Sequence, residues 1–177
     1  MSSGYVIRKL DWSRCDKNGV PQDFLDIKEF YNRALDKNLI PLIRRQSKIT
    51  YKELRDGWLK KKNAISFVAY SKKYKKVIGS CTVTEIGKEL AITLDPEHSG
   101  KGLGYSLTRK SIVEAKKRAI TLVVITSVEN KPMIRIMEKL GYKAKRRVKN
   151  YQPYVNVIKA KSFDAFEWVI SPRGLWV

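Results

Sequence analysis

Leu94-Asp95-Pro96-Glu97-His98-Ser99-Gly100-Lys101-Gly102-Leu103-Gly104 is the stretch on which the reading of this 177-residue chain turns. Ahead of it, Leu90 to Leu94 reads as a strand, closed by Asp95-Pro96. Behind it, Gly102 to Arg118 puts Leu103, Leu107, Ile112, Ala115 and Ala119 on a helical stripe. Three alternating glycines between a strand and a helix leave backbone N–H groups open, with no Cβ to obstruct a ligand. The helix N-terminus adds a partial positive charge and unpaired donors, and Lys101 adds a full charge. Together these features form a cradle for a pyrophosphate. A glycine-rich turn that binds nothing is the other reading of the loop by itself.

Two other phosphate loops do not fit. A Walker loop needs Gly-x-x-x-x-Gly-Lys-Ser/Thr, and here Gly100-Lys101 is followed by Gly102. A dinucleotide fingerprint needs Gly-x-Gly-x-x-Gly, and Gly104 arrives one residue early, late in the chain after several strands.

Outward from the loop the periodicity alternates between strand and helix. Tyr5 to Leu10 predicts a first strand, and Asn18-Gly19 with Pro21 mark a loop. A helix follows from Asp23, with Ile27, Tyr31, Ala34 and Leu35 on one face. Thr50 and Glu53 form a capping-box pattern that opens a short helix. Ala64 to Tyr70 and Val77 to Ile86 predict strands on either side of a basic turn, Ser71 to Lys76. Thr121 to Val128 is a β-branched run with the pattern of a strand buried on both faces. Pro132 opens a further helix that Gly141 stops, and Phe163 to Ile170 reads as a late strand. The order is β-α-α-β-β-β-α-β-α-β-β, a mixed sheet with helices on its faces.

Composition limits the partners. No apolar run approaches the roughly 20 residues that span a bilayer, and Met1 to Tyr5 lacks a secretory apolar segment. Cys15 and Cys81 have no metal-ligand spacing, and two buried thiols in a reducing, cytoplasmic compartment are expected over a disulfide. Lys and Arg number 37 against 17 Asp and Glu, a formal net charge of +20. That charge favours anionic partners, including nucleic acid or ribonucleoprotein, although a lysine-rich surface also arises from adaptation to heat. Basic clusters lie at Lys60 to Lys62, Lys72 to Lys76 and Lys143 to Lys149, the last followed by Tyr151 and Tyr154. They read first as a solvated strand edge guarded by lysine, and they also suit a phosphate-bearing partner.

A second stretch, Asn130-Lys131-Pro132-Met133-Ile134-Arg135-Ile136-Met137-Glu138-Lys139-Leu140-Gly141-Tyr142, begins 26 residues after Gly104, room for one helix and one strand. The two stretches together resemble the GNAT superfamily of acetyl-coenzyme A-dependent N-acetyltransferases. The first resembles its apolar-x-Pro-x-x-Gln/Arg-x-x-Gly-x-Gly/Ala motif, with Ser99 in place of Gln or Arg. The second resembles its Asn-x-x-Ala/Ser-x-x-x-x-Glu-Lys-Leu-Gly-Phe segment, and its ending is similar to the branch that acetylates ribosomal-protein N-termini. The resemblance is tight over residues 90–142 and loose over 5–89.

What the resemblance implies is specific. It implies one α/β (α+β) domain over 1–177, a central splayed sheet of six to seven strands, and acetyl-CoA as cosubstrate. Main-chain groups of Thr93 and Leu94 would pair with the pantetheine arm. Ser99, Gly100, Lys101, Gly102, Leu103 and Gly104, with Tyr105 behind them, would hold the pyrophosphate. Asn130 would orient the pantetheine or the adjoining helix, and no metal is implied. The acceptor would be a primary amine on a protein N-terminus, a lysine or an aminoacyl group, which attacks the thioester carbonyl directly in a ternary complex; the protein would be a monomer or homodimer. Two positions depart from the family: Met137 stands where many members keep a Tyr acid, and Ile125 where some keep a Glu base. Glu89 and Glu85 remain as candidate catalytic carboxylates, Glu89 within one residue of a base position in some members. Glu89 is also readable as a solvated strand-end charge. Tyr105 and Tyr142 are candidate acids that read first as packing residues, and His98 reads as an anion contact or surface group. A non-catalytic module of the same fold, binding nucleic acid or acting as a regulator, is the alternative.

Overall fold

The computed structural model describes residues 4–37, 48–58, 64–83, 90–151 and 162–173. Its elements follow the expected order: β1 (Tyr5–Lys9), α1 (Gln22–Asp36), α2 (Tyr51–Glu53), β2 (Ile65–Ser71), β3 (Lys76–Val83), β4 (Leu90–Leu94), α3 (Leu103–Lys117), β5 (Leu122–Ser127), α4 (Lys131–Lys139), β6 (Arg146–Tyr151) and β7 (Phe163–Ile170). Thr50 forms the capping box: its hydroxyl accepts from the Glu53 N–H at 3.2 Å, and the Glu53 carboxylate accepts from the Thr50 N–H at 2.8 Å. The helix it opens widens at once into a π turn over Leu54–Trp58.

The strands form two sheets, β1-β2-β3-β4 and β5-β7-β6, and every ladder among the described residues is antiparallel. Between β4 and β5 runs the β4–α3–β5 crossover, the kind of connection that joins parallel strands. These two strands lie near one another without a ladder. The sheet is therefore split beside β4.

Alternation in β2 and β3 supplies two cores. Phe67, Ala69, Ile78 and Cys81 face the cluster that holds Leu103, Leu107 and Ala115 of α3. Val68 and Val77 face the cluster of Phe24, Ile27, Phe30 and Tyr31 from α1. Helices thus cover both faces of the first sheet. In β5 only one face is fully buried: Leu122, Val124 and Thr126 point inward, while Val123, Ile125 and Ser127 are half-covered. The expectation of burial on both faces is corrected here, because β-branched residues fill the run whichever face a helix covers.

Cys15 and Cys81 are both free thiols. Cys81 is buried, and burial pushes its thiol up to about 12. Cys15 is exposed rather than buried: its loop sends Val20 into the α1-side core, but Cys15 itself joins neither cluster. No helix among the described residues is long and apolar enough to cross a membrane.

Candidate cofactor site

Leu94 ends β4 opposite Gly79 in the ladder. A Cβ on Gly79 would lie 2.6 Å from Leu94 Cδ2, so the neighbouring strand must be bare at that point. Thr93 and Leu94 pair with Ser80 and Gly79 on one side; their other edge faces the split. Asp95 then turns the chain. Its N–H donates to the Ile78 carbonyl at 2.9 Å, and its Oδ1 accepts from the Glu97 N–H at 3.2 Å, capping a 3-10 turn over Pro96–His98.

The three loop glycines have different jobs. Gly100 and Gly102 have φ of +77° and +75°, in the left-handed region that L side chains rarely adopt. A Cβ on either would meet no atom within 4 Å, so backbone conformation and not space requires glycine there. Gly104 is already helical, and a Cβ on it would lie 3.0 Å from Ile136 Cδ1 and 3.2 Å from Leu94 Cδ1. It lets α3 press against both α4 and β4.

Gly102 is the N-cap of α3 and offers no side-chain acceptor. The first helical bond runs from the Ser106 N–H to the Gly102 carbonyl at 3.1 Å. Before it, the N–H groups of Gly100, Lys101, Gly102, Leu103, Gly104 and Tyr105 reach no acceptor among the described residues. Ser99 is bonded within the turn, its N–H on the Pro96 carbonyl at 3.1 Å. Lys101 is exposed. Tyr105 lies beneath Lys139 Nζ, 5.0 Å from the ring centroid. Asn130 caps α4, its Oδ1 accepting from the Met133 N–H at 3.2 Å, so its side chain orients the helix. The arrangement can bind an extended ligand that carries backbone-like acceptors along β4 and an anion at the start of α3.

Proton-transfer groups are placed less directly. Glu85 and Glu89 lie outside the described residues, as do Lys60 to Lys62 and Tyr154. Met137 is fully buried in the main core, where it packs and carries no proton. Tyr142 packs against the same core beneath Lys116 Nζ, as a packing residue should. His98 is more covered than a surface group, with 12% side-chain exposure, and meets Tyr74 edge-on at 5.4 Å.

Two features escape a reading of the sequence. Opposite Ile125 in the ladder stands Glu167, 13% exposed and paired with Arg146 Nη2 at 2.8 Å. It is one strand over from the position read for a base, and only the register reveals it. The second is a buried pair: Asp95, 1% exposed, accepts from Arg33 Nη2 of α1 at 2.6 Å. Next to it Lys37 donates to Glu97 at 3.4 Å, and with Arg33 behind it holds the Glu97 carboxyl below its ordinary range. No local pattern links residues 33 and 95.

The model of the FR47-like protein family matches residues 68–151, a little under half of the chain, including both motif stretches. An uncharacterized N-acetyltransferase of Methanocaldococcus jannaschii is 37% identical over 68 residues, 38% of this chain and 30% of that protein; the match spans less than a third of its length. Ribosomal-protein-S5-alanine acetyltransferase of Vibrio fischeri superposes with a TM-score of 0.76 at 20% identity, covering 98% of this chain and 96% of its own. A GNAT-superfamily phosphinothricin acetyltransferase of Sinorhizobium meliloti, solved with acetyl-CoA, gives 0.71 at 16% identity over 96% and 89%. The fold is that of the GNAT superfamily, as the two motifs imply.

Proposed function

We propose that this chain is an acetyl-CoA-dependent N-acetyltransferase that passes an acetyl group to a primary amine in a ternary complex. One observation carries the reading. A run of N–H groups from Gly100 to Tyr105 has no acceptor among the described residues, and it lies where β4 borders a split sheet. A diphosphate at a helix N-terminus satisfies such donors and its charge is favoured by the dipole. An amide-bearing arm laid along Thr93 and Leu94 satisfies the open edge as an added strand does.

The chemistry asks little of side chains at the cofactor end. The acceptor amine, with an ordinary pKa near 10.4 for a lysine, must lose a proton before it attacks the thioester carbonyl. A carboxylate acting directly or through water serves that purpose. Glu89 and Glu85 keep this role in the proposal, with Glu167 as a third candidate beside Ile125. Among acceptors, a protein N-terminus, a lysine or an aminoacyl group fits better than a polyamine, which the net charge of +20 repels. The Vibrio fischeri relative's name favours a ribosomal-protein N-terminus within that class.

A nucleic-acid contact is a second, separate part of the proposal, and β6 favours it. Lys143, Lys145, Arg146, Arg147 and Lys149 are all exposed at the edge of the second sheet. Arg146 and Arg147 are partly neutralised by Glu167 and Asp164 at 2.8 and 2.9 Å. A log–log salt slope for RNA binding measures how many phosphates this edge engages; a flat slope removes it from the proposal. A cytoplasmic setting, in which Cys15 and Cys81 stay reduced, is proposed with it.

Thermal unfolding with acetyl-CoA, against nicotinamide and adenine nucleotides as controls, tests the main reading. A ligand at a hundredfold excess over its Kd stabilises the native state by about 2.7 kcal/mol. A shift with acetyl-CoA alone is expected. No shift at millimolar acetyl-CoA ends the enzyme reading and leaves the non-catalytic, nucleic-acid-binding alternative.

A further inference from the structure

A buried carboxylate is costly unless it is paired. Asp95 is 1% exposed and is the residue through which β4 enters the glycine loop. Each of its polar groups is committed. Its N–H is on the Ile78 carbonyl, its Oδ1 on the Glu97 N–H, and its Oδ2 on Arg33 Nη2 at 2.6 Å. His98 Nδ1 lies 3.7 Å from the same Oδ2. The Arg33 fork is steadied in turn by Glu29 and Glu97 at 3.7 and 3.9 Å. The cation therefore comes from α1, across the first sheet from α3, and grips the turn that precedes the open N–H groups.

Such a grip has a purpose a glycine loop cannot supply. Gly100 and Gly102 range over wide backbone freedom, so the direction of their N–H groups must be fixed from outside the loop. Preorganised donors bind an anion more tightly than donors that must first be ordered. We infer that Arg33 is a positioning residue for the phosphate cradle, acting through Asp95. The inference rests on the reading of that loop as the acetyl-CoA site. Arg33 does not touch the ligand in this scheme; it sets the angle at which the loop leaves β4.

The test compares acetyl-CoA with S-acetylpantetheine, which lacks the pyrophosphate, in the full chain and in Arg33→Met, Arg33→Lys and Asp95→Asn. Affinity is read by calorimetry for acetyl-CoA and by NMR at millimolar ligand for the truncated thioester. Wild type is measured first, and failure to bind acetyl-CoA at that stage sinks the cradle reading and the inference with it. With wild-type binding in hand, Arg33→Met is expected to weaken acetyl-CoA about tenfold and S-acetylpantetheine by less than about twofold. Arg33→Lys, which keeps a donor, recovers part of the loss. Equal weakening of both ligands, or unchanged acetyl-CoA affinity in the folded variant, overturns the inference and leaves the pair a purely structural tie. If Arg33→Met does not fold, Asp95→Asn, isosteric and still able to accept from the Glu97 N–H, carries the same expectations.

Discussion

On the α3 side of the first sheet the protein works through its backbone, with Gly100 and Gly102 left-handed and a row of N–H groups open at the helix start. On the α1 side it works through side chains. Asp23 receives Arg8 through two bonds at 2.6 and 2.8 Å, Asp26 accepts from the Val77 N–H at 2.8 Å, and Arg33 holds Asp95. The first side can bind an anion with no particular side chain, so its requirements appear as glycine. The second binds helix to sheet with charge pairs, so its requirements appear as two residues that must coexist. Ligand affinity and fold stability should therefore respond separately to substitutions on the two sides.

Gly102→Val attacks the backbone side and has the largest expected effect. A β-branched residue at φ +75° is strained by about 1–3 kcal/mol, and relief of that strain turns the loop's N–H groups away from the ligand. Acetyl-CoA affinity should fall about a hundredfold by calorimetry, with the far-ultraviolet dichroism of wild type. Retained affinity would falsify the assignment of the cradle.

Asp23→Ala attacks the other side. It strands Arg8 and removes the acceptor of the Asp11 N–H, and urea unfolding should show a loss of about 2 kcal/mol. Because Asp23 lies at the far end of α1 from Arg33, acetyl-CoA affinity in the folded variant should stay within about twofold. A parallel loss of affinity would mean that the two sides are not separable.

Gly79→Ala sits where the sides meet. The added methyl must displace Leu94 from 2.6 Å, and overpacking of that kind costs about 1–2 kcal/mol. Since Leu94 borders the split, a modest drop in cofactor affinity should accompany the drop in urea midpoint. An affinity unchanged while the midpoint falls would show that Leu94 yields toward the core instead.

The mildest probe leaves energies alone. Cys81, with its thiol pushed up to about 12 by burial, should resist a disulfide reagent at pH 8 while Cys15 reacts. One thiol per chain is expected in the native protein and two in urea; two in the native state would show that the core behind β3 opens.

Element order was fully legible because each element here has a local cause: the Thr50–Glu53 box, the Pro132 start, the periodicity of α3. The glycine loop was legible for a related reason, since positive φ leaves a trace at the residue itself. The separate job of Gly104 was not, because close packing against Ile136 depends on a helix 32 residues onward. Nor could Arg33–Asp95 or the position of Glu167 beside Ile125 be read in advance. Both arise from sheet register and helix placement, and neither residue carries a sign of its partner. His98 is less exposed than a surface group for the same reason: Tyr74, which meets it edge-on, comes from the β2–β3 turn.

The gap between β4 and β5 has a mechanical consequence. Without rungs across it, the two sheets are joined there by α3, α4 and their side chains, the softest kind of seam between stiff plates. A ligand lying in such a seam is a splint as well as a substrate, and its departure after each turnover would return the molecule to its loosest state. Hydrogen exchange along β4 and β5 should then rise and fall with occupancy, while β2 and β7 keep their protection throughout.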